Sequence, residues 1–121
     1  MSKNTILNLT MHPAAQAQRA GGVIEPQDKQ EVKDLLLFRE MPAVGEVARR
    51  ASALAALAAV SGADAAMIGG APYLMAPLHA ALEARGVRPV YAFSERRSEE
   101  VTQPDGSVRK VNVFVHLGFV G

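Results

Sequence analysis

The sequence predicts an α/β fold: a single-domain, Rossmann-like, three-layer arrangement with a mainly parallel sheet and an antiparallel C-terminal hairpin. Two observations carry this. Ala65 to Phe93 reads strand, helix, strand, the unit that builds parallel sheets. The last third then switches to a period of two around a strong turn, which marks a hairpin. At 121 residues the chain has the size of one domain, spanning 1–121. A chain of this length buries roughly two-thirds of its unfolded surface and folds without staples.

Taken in order, Thr5-Ile6-Leu7-Asn8-Leu9 is an apolar run ended by Thr10-Met11-His12-Pro13, a strand stopped by proline. Ala14 to Ala20 predicts a short helix closed by Gly21-Gly22. Asp28 to Phe38 places Val32, Leu35 and Leu36 at helical spacing with Asp28 as N-cap, although Leu35 to Phe38 alone also fits a strand. Pro42 to Val60 predicts the clearest helix, with Val47, Ala51, Leu54, Ala55 and Ala58 on one stripe. Ala65 to Ile68 is a buried-strand run. Gly69-Gly70-Ala71-Pro72 turns it into a helix whose interior Pro77 predicts a kink or a late start. Pro89 to Phe93 is a further strand, closed by the polar group Ser94-Glu95-Arg96-Arg97. Glu100 to Gln103 and Val108 to Phe119 flank the turn Pro104-Asp105-Gly106-Ser107. On the return strand Val111, Val113, Val115, Leu117 and Phe119 share one face, with Lys110, Asn112, Phe114 and His116 on the other.

Composition narrows the function. Hydrophobic residues make up 49% and charged residues 21%, an ordinary globular balance that excludes wholesale disorder. No cysteine is present, which removes disulfide scaffolds, thiolate zinc sites and cysteine nucleophiles. Thirteen Lys+Arg against twelve Asp+Glu leave a charge of +1, which argues against coating a long nucleic acid or docking on a membrane. Met1-Ser2-Lys3-Asn4 shows no secretory pattern, and glycine and proline break Ala51 to Leu82 into pieces too short to span a bilayer. The expected location is cytoplasmic. His12, His79 and His116 are scattered, so no metal site and no cofactor is expected.

In open parallel sheets, ligands bind beyond the carboxyl ends of the strands. Asn8 to His12, Gly69 to Pro72 and Ser94 to Arg97 are therefore expected to meet at one edge. Gly69, Gly70, Ala71 and Pro72 would expose backbone N–H groups at a helix start, which attracts anions. Arg96 and Arg97 offer forked donors suited to phosphate, and Asn8, Thr10, His12 and Ser94 offer hydrogen bonds. Phe114, an aromatic among polar residues, suits base stacking or a subunit contact. Each feature also has a plain reading as a turn, a solvated loop or the wet face of a hairpin.

Leu7-Asn8-Leu9-Thr10-Met11-His12-Pro13-Ala14 resembles the LNL-S/T-x-HP opening of small CRISPR-associated single-domain proteins. These are related to the CRISPR-associated Rossmann fold. Ala92-Phe93-Ser94-Glu95-Arg96 and the hairpin Pro104 to Lys110 followed by Val113-Phe114 resemble the same group's strand end and C-terminal hairpin. Ala66 to Pro72 and His116 to Val120 resemble relatives carried on phages and mobile elements, while Gly22 to Ala63 departs from the pattern. The resemblance implies a homodimer that binds a cyclic oligonucleotide, or another phosphate-bearing nucleotide signal, in antiviral defence or phage counter-defence. The apolar tail Leu117 to Val120 is the candidate subunit contact. Two alternatives stand beside this reading. One is a metal-independent ring nuclease cutting cyclic oligoadenylate, with Thr10 positioning, His12 moving the proton and Arg96 stabilising charge. The other is a structural accessory protein without a ligand.

Overall fold

The computed structural model describes residues 4–121. Met1, Ser2 and Lys3, part of the start read above as lacking a secretory pattern, lie outside the described residues. In chain order the elements are β1 (Ile6–Leu9), α1 (Gln16–Ala20), β2 (Val23–Ile24), α2 (Lys29–Leu36), α3 (Glu46–Ser61), β3 (Ala65–Ile68), α4 (Pro72–Ala84), β4 (Arg88–Thr102) and β5 (Val108–Val120). One five-stranded sheet runs β2-β1-β3-β4-β5. The first four strands are parallel, and β5 pairs antiparallel to β4. This is the α/β architecture expected from the sequence. No helix among the described residues is long and apolar enough to cross a membrane.

Strand alternation gives the sheet two apolar faces. Leu7, Leu9, Ala66 and Ile68 point into the main core against Val32, Leu36, Leu54, Ala55, Leu74 and Leu78 of α2, α3 and α4. Ile6, Ala65, Met67 and Val90 point the other way and cluster with Ala14, Val23 and Phe119. That second layer is thin, because α1 has only five residues and none is buried. The α3 stripe is mostly alanine, which lets the helix lie close to its neighbours: Ala51, Leu54, Ala55 and Ala58 are all buried.

Several elements differ from the sequence reading. α1 begins at Gln16 rather than Ala14, where Ala15 N–H donates to Gln18 Oε1 at 2.9 Å. β2 has no counterpart in the sequence reading, since two residues cannot display a period. α3 starts at Glu46 rather than Pro42, because Gly45 at φ 85° lies in the left-handed region and cannot extend the helix backwards. Just inside that start, Glu46 accepts from Arg49 at 2.6 Å and Arg50 at 2.7 Å, and these hydrogen bonds hold its carboxyl down at about 2. Arg50 also lies 4.3 Å over the Phe38 ring and donates to the Leu37 carbonyl at 2.6 Å. That clamp ties the α2–α3 connection to α3. α4 runs unbroken through Pro77 from its start at Pro72.

The difference at β4 matters most. Ser94 to Arg97 does not close β4; the strand continues to Thr102, paired with β5 all the way from Tyr91. Only Arg88, Pro89 and Val90 pair with β3, so the rest of β4 and β5 forms a two-stranded arm beyond the sheet. An arm wetted on both faces imposes no apolar alternation, so a charged stretch can be strand. The expected turn closes it: Asp105 Oδ1 accepts from Ser107 N at 2.9 Å and Oγ at 2.6 Å, with Gly106 at φ 87°. A register shift at Phe93/Ser94 leaves Leu117 unpaired and exposed. The single apolar face expected from Val111 to Phe119 is therefore broken, and Phe119 packs 4.8 Å from His116.

Candidate functional site

The sheet order reverses direction at β1 and β3, making their carboxyl ends the topological switch point. Leu9 pairs with Ile68, which sets Thr10 beside Gly69. A Cβ on Gly69 would meet Thr10 Cγ2 at 3.6 Å, ordinary contact. Gly70 follows at φ 149°, a value side chains rarely adopt, and Pro72 opens α4, whose start has no side-chain cap. Two of the three expected segments, Asn8 to His12 and Gly69 to Pro72, thus meet through Thr10 and Gly69.

Asn8 organises this edge from below. It lies on the thin side of the sheet with no exposed surface, and all four of its hydrogen-bonding positions are used. Its Nδ2 donates to the His12 carbonyl at 2.8 Å and to Glu25 Oε1 at 3.0 Å. Its Oδ1 accepts from Thr10 N at 3.0 Å and Thr10 Oγ1 at 2.6 Å. Buried amides must be satisfied, and this one is satisfied by its own loop. Asn8 therefore shapes the 10–14 loop rather than reaching a ligand.

Glu25 and Lys29 complete the arrangement, and sequence reasoning missed both. Glu25 Oε2 accepts from Ala14 N at 2.7 Å, and Lys29 Nζ lies 3.3 Å from Glu25 Oε1 and 2.8 Å from the Thr10 carbonyl. Burial raises the Glu25 carboxyl, but the Ala14 N–H, the Lys29 ammonium and the Asn8 amide outweigh it. Its pKa consequently lies below the ordinary glutamate value. The only available signal was the four-residue spacing of Glu25 and Lys29 across the α2 N-cap, where Asp28 Oδ1 accepts from Glu31 N at 3.0 Å.

A pH dependence follows. A depressed carboxyl pKa contributes stability above the unfolded value, about 4.3, and loses it as pH falls through the folded value. The stability difference between wild type and Glu25→Gln is expected to be constant above about pH 5. It should shrink on acidification below about pH 4, as read by urea unfolding at stepped pH. A pH-independent difference would mean that the charge on Glu25 does not hold the loop.

The remaining expected residues divide. His12 is exposed, and its imidazole has no hydrogen-bond partner among the described residues. Ser94, Arg96 and Arg97 lie past the edge, on the arm rather than in a loop. Arg97 donates to Glu95 at 3.0 Å, whereas Arg96 makes no ion pair among the described residues. By alternation Arg96 follows Val90 and Ala92, on the sheet side where Ala14 and Phe119 pack. The 10–14 loop occupies that same side, and by strand register Arg96 stands about four residues, roughly 13 Å, beyond the level of Thr10 and Gly69. Clefts among the described residues lie elsewhere. One of about 460 Å³ runs between Ile24, Val32, Leu57 and Val60. Two others border the 37–43 connection.

A family model described as the Uncharacterized protein MJ1673 family matches residues 4–120. No curated protein and no solved structure matches.

Proposed function

We propose that this chain, which belongs to that family over nearly its whole length, binds a phosphate-bearing nucleotide at the carboxyl edge between β1 and β3. The observation that carries the reading is the juxtaposition of Thr10 and Gly69 at the switch point, beside an uncapped helix start. Arg96, which has no acidic partner among the described residues, supports the same reading as a phosphate ligand from the arm. The resemblance of Leu7 to Ala14 to CRISPR-associated proteins favours a cyclic oligonucleotide signal of antiviral defence over a mononucleotide, acting in the cytoplasm.

Binding without efficient cutting is the form best supported. A proton carrier needs a partner that orients it, and the His12 ring has none among the described residues. Asn8, fully committed to the loop, and Thr10, whose hydroxyl donates to Asn8, fit a preformed rim.

The test is thermal shift and titration with cyclic di-, tri-, tetra- and hexanucleotides. A ligand that binds only the native state must raise the melting temperature. Gly69→Gln keeps an ordinary Cβ contact while its side chain extends over the edge, so it should abolish the shift without lowering the apo melting temperature. Arg96→Ala should weaken binding by about 1.5–3 kcal/mol, the range for charge-assisted bonds. The ligand should be recovered intact after prolonged incubation. No shift with any member of the panel, or an unchanged affinity in Gly69→Gln, would overturn the reading.

A further inference from the structure

An aromatic ring stands half exposed at the very start of α4. Pro72 has no N–H, so the first N–H of that helix belongs to Tyr73, whose ring is 51% exposed. The ring is nonetheless held in place. Phe38 meets it edge to face at 5.2 Å between centroids, and Arg50 lies 4.3 Å over Phe38 in turn. Edge-to-face contact is a preferred aromatic geometry, so Tyr73 is oriented rather than loose.

The chain path explains why these rings meet beside the edge. The end of α2 reaches the turn that follows β3: a Cβ on Gly70 would meet Leu36 Cδ2 at 3.9 Å. The 37–43 connection therefore starts level with the carboxyl edge and passes beside the α4 start. Between them lies an open cleft of about 600 Å³, lined by Phe38 and Tyr73 with half-buried Val47 and with Met41. Met41 is 90% exposed, and its unbranched side chain can fold over a flat ligand. Arg39 and Glu40 complete the lining with a donor and an acceptor.

We propose that this cleft holds the base of the nucleotide whose phosphate sits at the edge, with Tyr73 as its stacking surface. The inference rests on the nucleotide reading above and adds the residues that recognise the base. The occupant follows from chemistry. A nucleobase is flat and presents a π-face that stacks on an aromatic ring, which matches Tyr73. Its edge carries both donors and acceptors, which matches Glu40 and Arg39. An aliphatic chain would leave those two charges unused, and a free phosphate would leave the aromatic wall unused. Tyr73 joins the two halves of the site. Its N–H lies at the helix start and its ring lines the cleft, so one residue serves both ends of a single nucleotide unit.

The chain contains no tryptophan, so Tyr73→Trp introduces a fluorophore that reports on this position alone. Titrated with the cyclic di-, tri-, tetra- and hexanucleotides, it should be quenched by the member that stabilises wild type. Adding Gly69→Gln to the same protein should abolish the quenching. Tyr73→Ala should weaken that ligand about five- to a hundredfold, the span of one stacked base, with unchanged circular dichroism. Should Tyr73→Ala fail to fold, the tryptophan titration still decides. A stabilising ligand that leaves the Tyr73→Trp fluorescence unchanged, or that binds Tyr73→Ala as tightly as wild type, would overturn the base cleft and leave the phosphate edge standing. No stabilising ligand for wild type would overturn both.

Discussion

Asn8→Ala is expected to cost about 3 kcal/mol of folding stability, a large share of the 5–15 kcal/mol typical of a domain. The physical reason is asymmetry. The amide's own net hydrogen bonds are each worth about 1 kcal/mol, but removing them also strands buried partners, at about 1–3 kcal/mol apiece. Thr10 N–H loses its acceptor outright. The His12 carbonyl and Glu25 keep Lys29, so they lose less. Asn8→Asp should be worse at neutral pH, because it replaces the donor facing Glu25 with a second carboxylate. Part of that deficit should return on acidification, when the pair can share a proton. Urea unfolding of the three proteins at pH 7 and pH 4 tests the ordering. A loss below 1 kcal/mol for Asn8→Ala would show that the 10–14 loop holds its shape without the amide.

This role was hidden from sequence reasoning by a feature of strand geometry. In Ile6-Leu7-Asn8-Leu9 the amide sits on the thin side of the sheet while Leu7 and Leu9 enter the main core. A polar residue in an apolar strand reads equally as a ligand contact or as a buried organiser. Choosing between them needs the location of Glu25, which lies across a strand of two residues. β3 and the Pro72 helix start were legible because their signals are local: an apolar run bounded by glycine, and proline at the first helical position. The arm was half legible. Its turn, β5 and the end of β4 at Glu100 were plain, whereas Ser94 to Glu99 was concealed, because a strand wetted on both faces has no apolar period to show. The consequence reaches the candidate site: Arg96 stands on a projecting ribbon and not in a loop folded over the edge. Thr10 and Gly69 are therefore the firmer pair, joined by strand register alone.

Gly22→Ala is expected to be about as damaging as the loss of Asn8, although Gly22 is remote from any candidate ligand contact. Gly22 stands at φ 104°, and a Cβ there would lie 2.3 Å from the Asn4 carbonyl oxygen. Backbone cannot swing aside as a flexible side chain can, so β2 must move. The left-handed conformation alone costs about 1–2 kcal/mol for a residue with a Cβ. Displacing packed backbone adds about 1–3 kcal/mol more. Two controls separate these contributions. Gly45→Ala, at φ 85° with nothing within 4 Å, carries the conformational cost alone. Gly21→Ala, whose nearest neighbour would be Gln18 O at 3.4 Å, should be nearly silent. The Ile6 N–H donates to the Gly22 carbonyl at 3.0 Å, so the displaced residue is the one that docks β2 on β1. Once β2 shifts, Glu25 leaves Asn8 and Ala14, and the loop loses its anchor from the other end. Residues acting through one network couple, so Asn8→Ala and Gly22→Ala together should destabilise by clearly less than the sum of the two. Strict additivity in the urea midpoints would show that β2 and the 10–14 loop are held independently. The edge would then be organised by Asn8 and Thr10 alone.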